Sequence, residues 1–290
     1  MIEAGVSVQP IPKFPPSTDG VLDYEFWMKR ASQLSSEYQT DRPFPHIVIN
    51  DFLKPSLARA AGADYVNVDW QSYRHYNENK QGGNPKTLPK TITDVIAELN
   101  SPQFLEFLSR ITGIENLIPD DALGSGGIHQ SERGGFLNIH ADFTVHPYHQ
   151  DWRRRLNVLI YLNEEWQDEW GGLLELWSRD MKSCQRKIAP IFNRCVVFNT
   201  DESSFHGHPE PMTCPVGVKR KSIALYYYTA DKSAVAISTE YRPRPSDHPS
   251  KAALIFLDKM ALRLFHWTKS TFKLQDATVT KFMDLFRKKK

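Results

Sequence analysis

The chain has 290 residues, of which 40% are hydrophobic and 24% are charged, and its 36 Lys and Arg against 34 Asp and Glu give a formal net charge of +2. This composition is typical of a globular protein with one large domain or two small ones. Three cysteines exclude a disulfide framework, and neither a membrane-spanning apolar run nor an export signal is visible, so we expect a cytoplasmic protein.

The basic residues are concentrated at one end of the chain. Residues 249–290 carry ten Lys or Arg against three Asp, a net charge of +7, which leaves −5 for residues 1–248. A nucleic-acid-binding protein would carry a basic stripe on its main domain, so we expect no nucleic-acid partner. The tail alone has the charge for peripheral contact with a membrane, although packing on the body or in a homodimer is the favoured interpretation.

The order of composition and periodicity predicts four segments. They are an N-terminal arm and helix (1–42), a main domain (43–230), a Pro-rich linker (231–248) and a basic tail of two amphipathic helices (249–290). In the front half, apolar spacing predicts helices over Asp23–Gln39 and Ile92–Thr112, and residues 71–90 read as a polar loop.

From Gly126 onward, short apolar runs separated by turn residues predict β-strands. The runs are Phe136–Asp142, Leu156–Leu162, Leu173–Trp177, Lys187–Ile191, Arg194–Phe198 and Ser222–Tyr228. Strands that follow an N-terminal helical region indicate a mainly β protein with flanking helices, built as an antiparallel sandwich or a double-stranded barrel. These predicted strands lie within residues 126–230.

The end of the first of these strands carries a candidate metal site. Alternation along a strand places His140 and Asp142 on the same side, and His206 follows a later strand. Two His and one carboxylate, with other coordination positions left open, form the facial triad of non-haem Fe(II) oxygenases. Arg220, at the start of the strand after that, can bind a carboxylate through two hydrogen bonds.

These residues, together with the strand over 156–163 and the Gly-Gly turn over 170–176, resemble the 2-oxoglutarate-dependent Fe(II) oxygenases of the prolyl 4-hydroxylase-like group. The resemblance extends over roughly residues 43–229. It implies a double-stranded β-helix core, the jelly-roll or cupin-like fold. It also implies a dioxygenase that hydroxylates a C–H bond of a peptide or small molecule and releases succinate and CO2.

The same resemblance implies the cofactors and their ligands. Fe(II) would be held by His140, Asp142 and His206, and the far carboxylate of 2-oxoglutarate by Arg220 and Tyr161, with O2 as the other co-substrate and ascorbate as a further candidate. Two more residues are candidates for co-substrate contact, Asn157 on the strand face of Tyr161 and Leu174 after the Gly-Gly turn.

Several neighbouring residues compete with these assignments. His208 has the strand parity of His206 and is the alternative distal ligand. Arg220 is favoured over Lys219 and Lys221 because it shares its parity with Ser222, whereas both lysines point to the other face. The remaining candidates have plainer interpretations: His146 and His149 as lining of the pocket entrance, Arg153 to Arg155 as a solvated charge run, and the three cysteines as unreactive.

Two other functions stay open at this point. A cupin-like metal- or sugar-binding module would keep the barrel without turnover, and it would be expected to lack part of the triad or the carboxylate-binding Arg. A protein that acts through its tail, at a membrane or partner surface, is supported only by the charge of residues 249–290.

Overall fold

The computed structural model of the protein describes residues 20–124, 126–258 and 260. The chain divides into two compact units, Met1–Pro245 and Ser246–Lys290, and residues 249–258 of the second are helical. The predicted arm before residue 20 and most of the two predicted tail helices lie outside the described residues. Among the described helices, none combines the length and the hydrophobicity of a membrane span.

The helices of the first unit precede most of its strands. They are α1 (Tyr24–Lys29), α2 (Ala31–Thr40), α3 (Pro55–Ala63), α4 (Lys90–Leu99) and α5 (Pro102–Thr112). Each of the two predicted long helices is in fact a pair. The second pair separates at Ser101, whose hydroxyl accepts a hydrogen bond from the N–H of Phe104 at 3.2 Å and so caps a new helix with Pro102 at its first position.

The strands form one antiparallel sheet. They are β1 (His46–Ile49), β2 (Trp70–His75), β3 (Glu78–Gly83), β4 (Ile118–Pro119), β5 (Gly127–Ser131), β6 (Phe136–Ala141), β7 (Trp152–Tyr161), β8 (Leu174–Trp177), β9 (Cys184–Ile188), β10 (Arg194–Asn199), β11 (His206–His208), β12 (Arg220–Ala230) and β13 (Glu240–Tyr241). The order across the sheet is β1-β10-β7-β12-β5-β3-β6-β11-β8-β9.

This sheet curls back on itself into a double-stranded β-helix. Phe198 on β10 and His206 on β11 are far apart in the strand order, yet their ring centroids lie 4.7 Å apart. Tyr161 of β7 likewise packs in one buried cluster with Leu174 and Leu176 of β8. The predicted fold class, mainly β with flanking helices around a jelly-roll core, is therefore confirmed.

Alternation along β12 separates the two sides of the barrel wall. Ile223, Leu225 and Tyr227 are buried in the large apolar core that also contains residues of all five helices, and the Tyr227 hydroxyl donates to the carbonyl of Leu99 at 2.8 Å. The residues between them, beginning with Arg220, face the barrel interior. The helices thus fix the outer wall and leave the inner face of β12 to the site.

The segment predicted as a polar loop, residues 71–90, contains a β-hairpin instead. Strands β2 and β3 pair from Trp70 with Gly83 to His75 with Glu78, and β3 also pairs with β5 and β6. The hairpin has polar residues on both faces, so it lacks the apolar alternation by which strands are recognised in a sequence. Strand β3 completes the barrel between β5 and β6.

Part of the predicted linker is also ordered. Strand β13 pairs with β6, with Glu240 opposite Ala141 and Tyr241 opposite His140. The N–H of Arg242 donates to the carbonyl of Ile139 at 2.9 Å. A short part of the predicted Pro-rich linker (231–248) thus forms a strand, because the free edge of β6 offers hydrogen-bonding groups to the passing chain.

Candidate active site

Adjacent antiparallel strands bring the three candidate metal ligands together. His140 on β6 is the register partner of His206 on β11, and Asp142 follows β6 directly. The potential ligand atoms of these three residues all lie within 4.8 Å of one another. All three side chains are nearly inaccessible to solvent, at 6%, 11% and 7% exposure for His140, Asp142 and His206.

The orientation of both imidazoles suits a metal ion. The Nδ1 atom of His140 lies 2.9 Å from the carbonyl oxygen of Asn138, and Nδ1 of His206 lies 2.9 Å from that of Ser204. A carbonyl can only accept, so each Nδ1 carries the proton and each Nε2 presents a lone pair. Those Nε2 atoms lie 3.4 Å from the two carboxylate oxygens of Asp142.

The charge states also suit a metal ion. Burial lowers the pKa of His206 to about 4, so this imidazole is neutral at pH 7. Burial alone would raise the pKa of Asp142, but the charge of Arg154 and the neighbouring His206 and His140 outweigh it and hold the pKa well below its usual value. The three residues together offer two imidazole nitrogens and one carboxylate, which is the donor set that binds non-haem Fe(II) with open positions.

A buried hydrogen-bond network holds the Asp142 carboxylate. Its Oδ2 accepts from Arg154 at 2.9 Å and from the amide of Asn157 at 2.8 Å, and Arg154 in turn donates to Asn157 Oδ1 at 2.6 Å. The guanidinium of Arg154 lies 3.5 Å from the ring centroid of Tyr226. Arg154 is only 1% exposed, so the interpretation of Arg153 to Arg155 as a solvated charge run is wrong for its middle member.

Arg154 can be missed in a sequence for a simple reason. Three consecutive arginines suggest an exposed strand end, and Arg155 fits this expectation, since it is partly exposed and donates to the Thr229 hydroxyl at 3.3 Å. Strict alternation along β7 would place Arg154 on the same side as Leu156, in the apolar core outside the barrel. The register of β7 and β12 shifts between Tyr227 and Tyr228, however, and Arg154 faces the barrel interior. Such a bulge redirects side chains and is not visible in a periodicity pattern.

A second polar pair lies deeper in the barrel. Arg220 donates to the hydroxyl of Tyr161 at 3.2 Å and to the carbonyl of Gly172 at 2.7 Å. Tyr161 is fully buried, and burial raises the pKa of its hydroxyl although Arg220 acts in the opposite direction. The neighbouring lysines have other surroundings, since Lys221 donates to the carbonyl of Gly62 at 2.9 Å on the helix side of the sheet.

The two further candidates for co-substrate contact occupy different positions. Asn157 donates to Asp142 as described, which places it beside the carboxylate of the candidate metal site. Leu174 is 3% exposed and packs with Tyr161, Leu176 and Phe198 in an apolar cluster between the barrel walls. Leu174 therefore belongs to a dry wall next to the Arg220 and Tyr161 pair.

The competing histidines do not join the three ligands. His208 is buried near Arg220 and Lys80, whose charges add to burial in lowering its pKa well below the usual value, and a register shift separates it from His206. His146 is 1% exposed, accepts from the N–H groups of Tyr148 and His149, and lies 3.4 Å from Asp120. His146 thus orders the loop after Asp142 rather than lining an open entrance.

The hairpin and strand β13 supply site residues that the sequence did not indicate. On β3, Glu78 pairs with Lys80 at 2.9 Å and with His75 at 2.9 Å. On β13, the ring centroid of Tyr241 lies 5.4 Å from that of His140 and 6.3 Å from that of His75. These residues continue the wall of the barrel beside the three ligands.

Comparison with known proteins agrees with this geometry. Residues 126–228 match the family model of the 2OG-Fe(II) oxygenase superfamily. A curated relative, prolyl 3-hydroxylase sudestada1 of Drosophila melanogaster, is 27% identical over 199 residues, which are 62% of this chain and 35% of that protein. The chain thus spans about a third of the length of this relative.

Solved structures give a likeness of the same kind. A prolyl-4-hydroxylase of Pseudomonas putida superposes with a TM-score of 0.49 at 19% identity, covering 68% of this chain and 99% of that chain. A prolyl hydroxylase of Trichoplax adhaerens, solved with a peptide fragment of the hypoxia inducible factor oxygen degradation domain, has a TM-score of 0.49 at 21% identity and covers 70% and 92%.

The segment that carries the site, residues 126–228, belongs to the 2OG-Fe(II) oxygenase superfamily. The resemblance seen in the sequence is therefore confirmed at the level of this superfamily. The three ligands and the Arg220–Tyr161 pair all lie within this matched segment.

Proposed function

We propose that the chain is a hydroxylating dioxygenase whose metal ligands are His140, Asp142 and His206. The observation that carries the proposal is the convergence of two imidazole Nε2 atoms and one ionised carboxylate within 4.8 Å in a buried site. When bound there, Fe(II) supplies the redox chemistry that activates O2 with 2-oxoglutarate as the electron donor. The chain's own residues supply the geometry and the surrounding polarity.

The second step of the proposal concerns 2-oxoglutarate. Arg220 and Tyr161 offer a guanidinium and a hydroxyl at the inner end of the barrel, next to the apolar wall that contains Leu174. A guanidinium held by the Gly172 carbonyl is already oriented before a carboxylate arrives, so little side-chain freedom is lost on binding. The apolar wall excludes water from the ion pair that would form.

Arg154 and Asn157 have a positioning role in this account. They donate two hydrogen bonds to the same oxygen of Asp142, which leaves the other oxygen free to bind the metal. The charge of Arg154 also keeps Asp142 ionised when no metal is present. Outer hydrogen bonds of this kind fix the orientation of metal ligands.

The compound that is hydroxylated is a peptide or a small molecule. The prolyl 3-hydroxylase among the relatives makes a prolyl peptide the first candidate to test, and it supports no finer choice because the chain spans only a third of that protein. Free amino acids, sugars and natural-product intermediates belong in the same panel.

The test is succinate release under air from the full chain loaded with Fe(II) and 2-oxoglutarate, measured against that panel. We expect stoichiometric succinate and hydroxylated product with at least one compound, and no succinate from the Asp142→Ala variant. Metal binding without succinate release under any condition would instead identify a non-catalytic cupin-like module.

A further inference from the structure

Strand β3 adds charged side chains to the inside of the barrel. Alternation along β3 places Glu78, Lys80 and Gly82 on one face. In the register, Glu78 lies opposite His75 of β2 and Gly82 lies opposite His129 of β5. The opposite face of the hairpin is turned to the helices, since a Cβ on Gly83 would lie 2.6 Å from Ile128 of the apolar core. Glu78 and Lys80 therefore face the site.

Lys80 is a charged and largely enclosed side chain. Its Nζ lies 2.9 Å from Glu78 Oε2, and the side chain is 24% exposed. Burial would lower the pKa of Lys80, but Glu78, Tyr226 and Asp142 together raise it, so the ammonium keeps its proton. An ammonium has three N–H donors, and the ion pair with Glu78 uses one of them.

Arg154 is a second cation at this site after Lys80, and one of its N–H groups is not used as a donor. Arg154 stacks 3.5 Å from the Tyr226 ring centroid and gives its Nε and Nη2 groups to Asn157 and Asp142. Its Nη1 is buried without a hydrogen-bond partner among the described residues. A buried donor that stays unpaired is costly, which indicates a group that this site receives from outside the chain.

Among the described charged side chains inside the barrel, positive charges outnumber negative ones. Arg154, Arg220 and Lys80 are positive, and Asp142 and Glu78 are negative. Burial lowers the pKa of His129 to about 3, so this imidazole adds no charge at pH 7. A divalent metal and the dianion of 2-oxoglutarate cancel each other, and one positive charge is left uncompensated.

We propose that the compound oxidised at this site carries an anionic oxygen group, a carboxylate or a phosphate ester, and that Lys80 binds it. This inference rests on the proposed function and specifies the substrate class for the same site. The hairpin thereby acts as a specificity element, because it places an ammonium group on the inner face of the barrel that contains the three metal ligands.

The test measures binding rather than turnover. The full chain is loaded with Zn(II), which is redox-inert, and 2-oxoglutarate, and ligand-observed NMR compares two matched pairs of probes: N-acetylproline with N-acetylprolinamide, and glucose 6-phosphate with glucose. We expect one of the two anions to bind at least about 10-fold more tightly than its neutral counterpart, as for a hydrogen bond to a charged group. The pair that shows the preference distinguishes a carboxylate from a phosphate ester.

Variants of Lys80 decide whether this residue is the cause. Lys80→Met should abolish the preference, Lys80→Arg should retain most of it, and Lys86→Met, an exposed lysine just after the hairpin, should leave it unchanged. Equal binding of anion and neutral probe in the wild type, or a preference that survives in Lys80→Met, would overturn the inference.

Two further outcomes are informative. If Lys80→Met weakens 2-oxoglutarate binding as strongly as probe binding, Lys80 serves the co-substrate and the inference is wrong. If the wild type binds neither metal nor 2-oxoglutarate, the proposed function itself fails, which is measured separately before any probe is added.

Discussion

The Asp142 carboxylate depends on one buried ion pair. Arg154 and Asn157 both donate to its Oδ2, and the Arg154 side chain is fully enclosed between Tyr226 and Phe143. A buried charge that loses its partner is strongly destabilising, whereas a bound divalent cation can take the partner's place. The metal-free and metal-loaded proteins should therefore respond differently to loss of Arg154.

We predict that Arg154→Met lowers the free energy of unfolding of the metal-free protein by about 3–5 kcal/mol, because Asp142 is left buried without its counter-charge. Loading with Zn(II) should recover part of this loss. Urea unfolding of both variants with and without metal checks the prediction, and Arg155→Met, whose side chain is partly exposed, is the matched control. Equal losses in Arg154→Met and Arg155→Met would contradict the assigned role.

The Arg220 guanidinium is predicted to determine affinity for 2-oxoglutarate. Removal of one member of a buried charge pair costs on the order of 2–5 kcal/mol, so Arg220→Met should weaken apparent affinity by roughly 30-fold to a few thousand-fold. Tyr161→Phe removes one hydrogen bond and should have a smaller effect, of about 1.5–3 kcal/mol. Calorimetric titration of the metal-loaded protein with 2-oxoglutarate measures both.

Lys219→Met is the control for this series, because Lys219 precedes β12 and lines the same cavity as Gly62 and Lys221, on the helix side of the sheet. Its affinity for 2-oxoglutarate should match the wild type. A large loss in Lys219→Met with Arg220→Met near wild type would show that the co-substrate lies on the opposite side of the strand.

At the scale of elements, the site depends on the close approach of β11 to β6. Gly207 lies between the two histidines of β11, and a Cβ added there would be 2.7 Å from the carbonyl oxygen of Leu137 and 2.9 Å from that of Asn138. Both atoms belong to the backbone of β6 and cannot move independently of the strand. Only glycine allows this spacing, and the spacing sets the distance between His140 and His206.

We therefore expect Gly207→Ala to displace β11 from β6, to lower stability by about 1–3 kcal/mol and to weaken Zn(II) affinity. Gly62→Ala is the matched control, because its Cβ would meet Leu162 at an ordinary 3.5 Å. Metal titration and urea unfolding of the two variants provide the measurement. Wild-type metal affinity in Gly207→Ala would contradict the role of this strand spacing.

Some of the strands that form the site could be predicted from the sequence. The strands that carry His140 and Arg220 have apolar residues on alternate positions, and alternation also separates Arg220 from its lysine neighbours. These regularities follow from burial of one strand face, so they are readable without a structure. The number and order of such strands predicted an antiparallel sandwich or a double-stranded barrel, and the resemblance to the oxygenase family implied the jelly roll.

Other elements could not be predicted because tertiary context produces them. The β2–β3 hairpin is polar on both faces, and β13 consists of two residues that pair with the free edge of β6. Arg154 turns inward because of a register shift in β7 and β12. Pairing with a distant strand and local bulges leave no periodic signal, so Lys80, Glu78, Tyr241 and Arg154 were all missed.

For the whole molecule, several buried neutral histidines are expected to make stability fall at low pH. Burial lowers the pKa of His206 from 6.5 to about 4 and that of His129 to about 3. Between pH 6.5 and 4 the unfolded chain binds protons that the folded chain does not, so the stability of the metal-free protein falls as the pH falls. For His206 alone this corresponds to on the order of 3 kcal/mol.

Carboxylates affect the stability at lower pH than the histidines do. The pKa values of Asp142 and Glu78, at about 2 for the latter, lie below those of the unfolded chain, so the stability they provide is lost only below about pH 4. Urea unfolding at pH 7, 6 and 5 tests the histidine effect, and His208→Gln should reduce the slope. Constant stability across this range would show that the buried histidines do not control it.

The most direct test of the account is anaerobic titration of the full chain with Fe(II) and 2-oxoglutarate, observed through the visible charge-transfer band of the metal complex. We predict a saturable band in the wild type and in His208→Ala, and no band in His140→Ala, Asp142→Ala or His206→Ala, with the fold of each variant checked by circular dichroism. A full band in His206→Ala together with its loss in His208→Ala, or no band in the wild type, would contradict the assigned metal site.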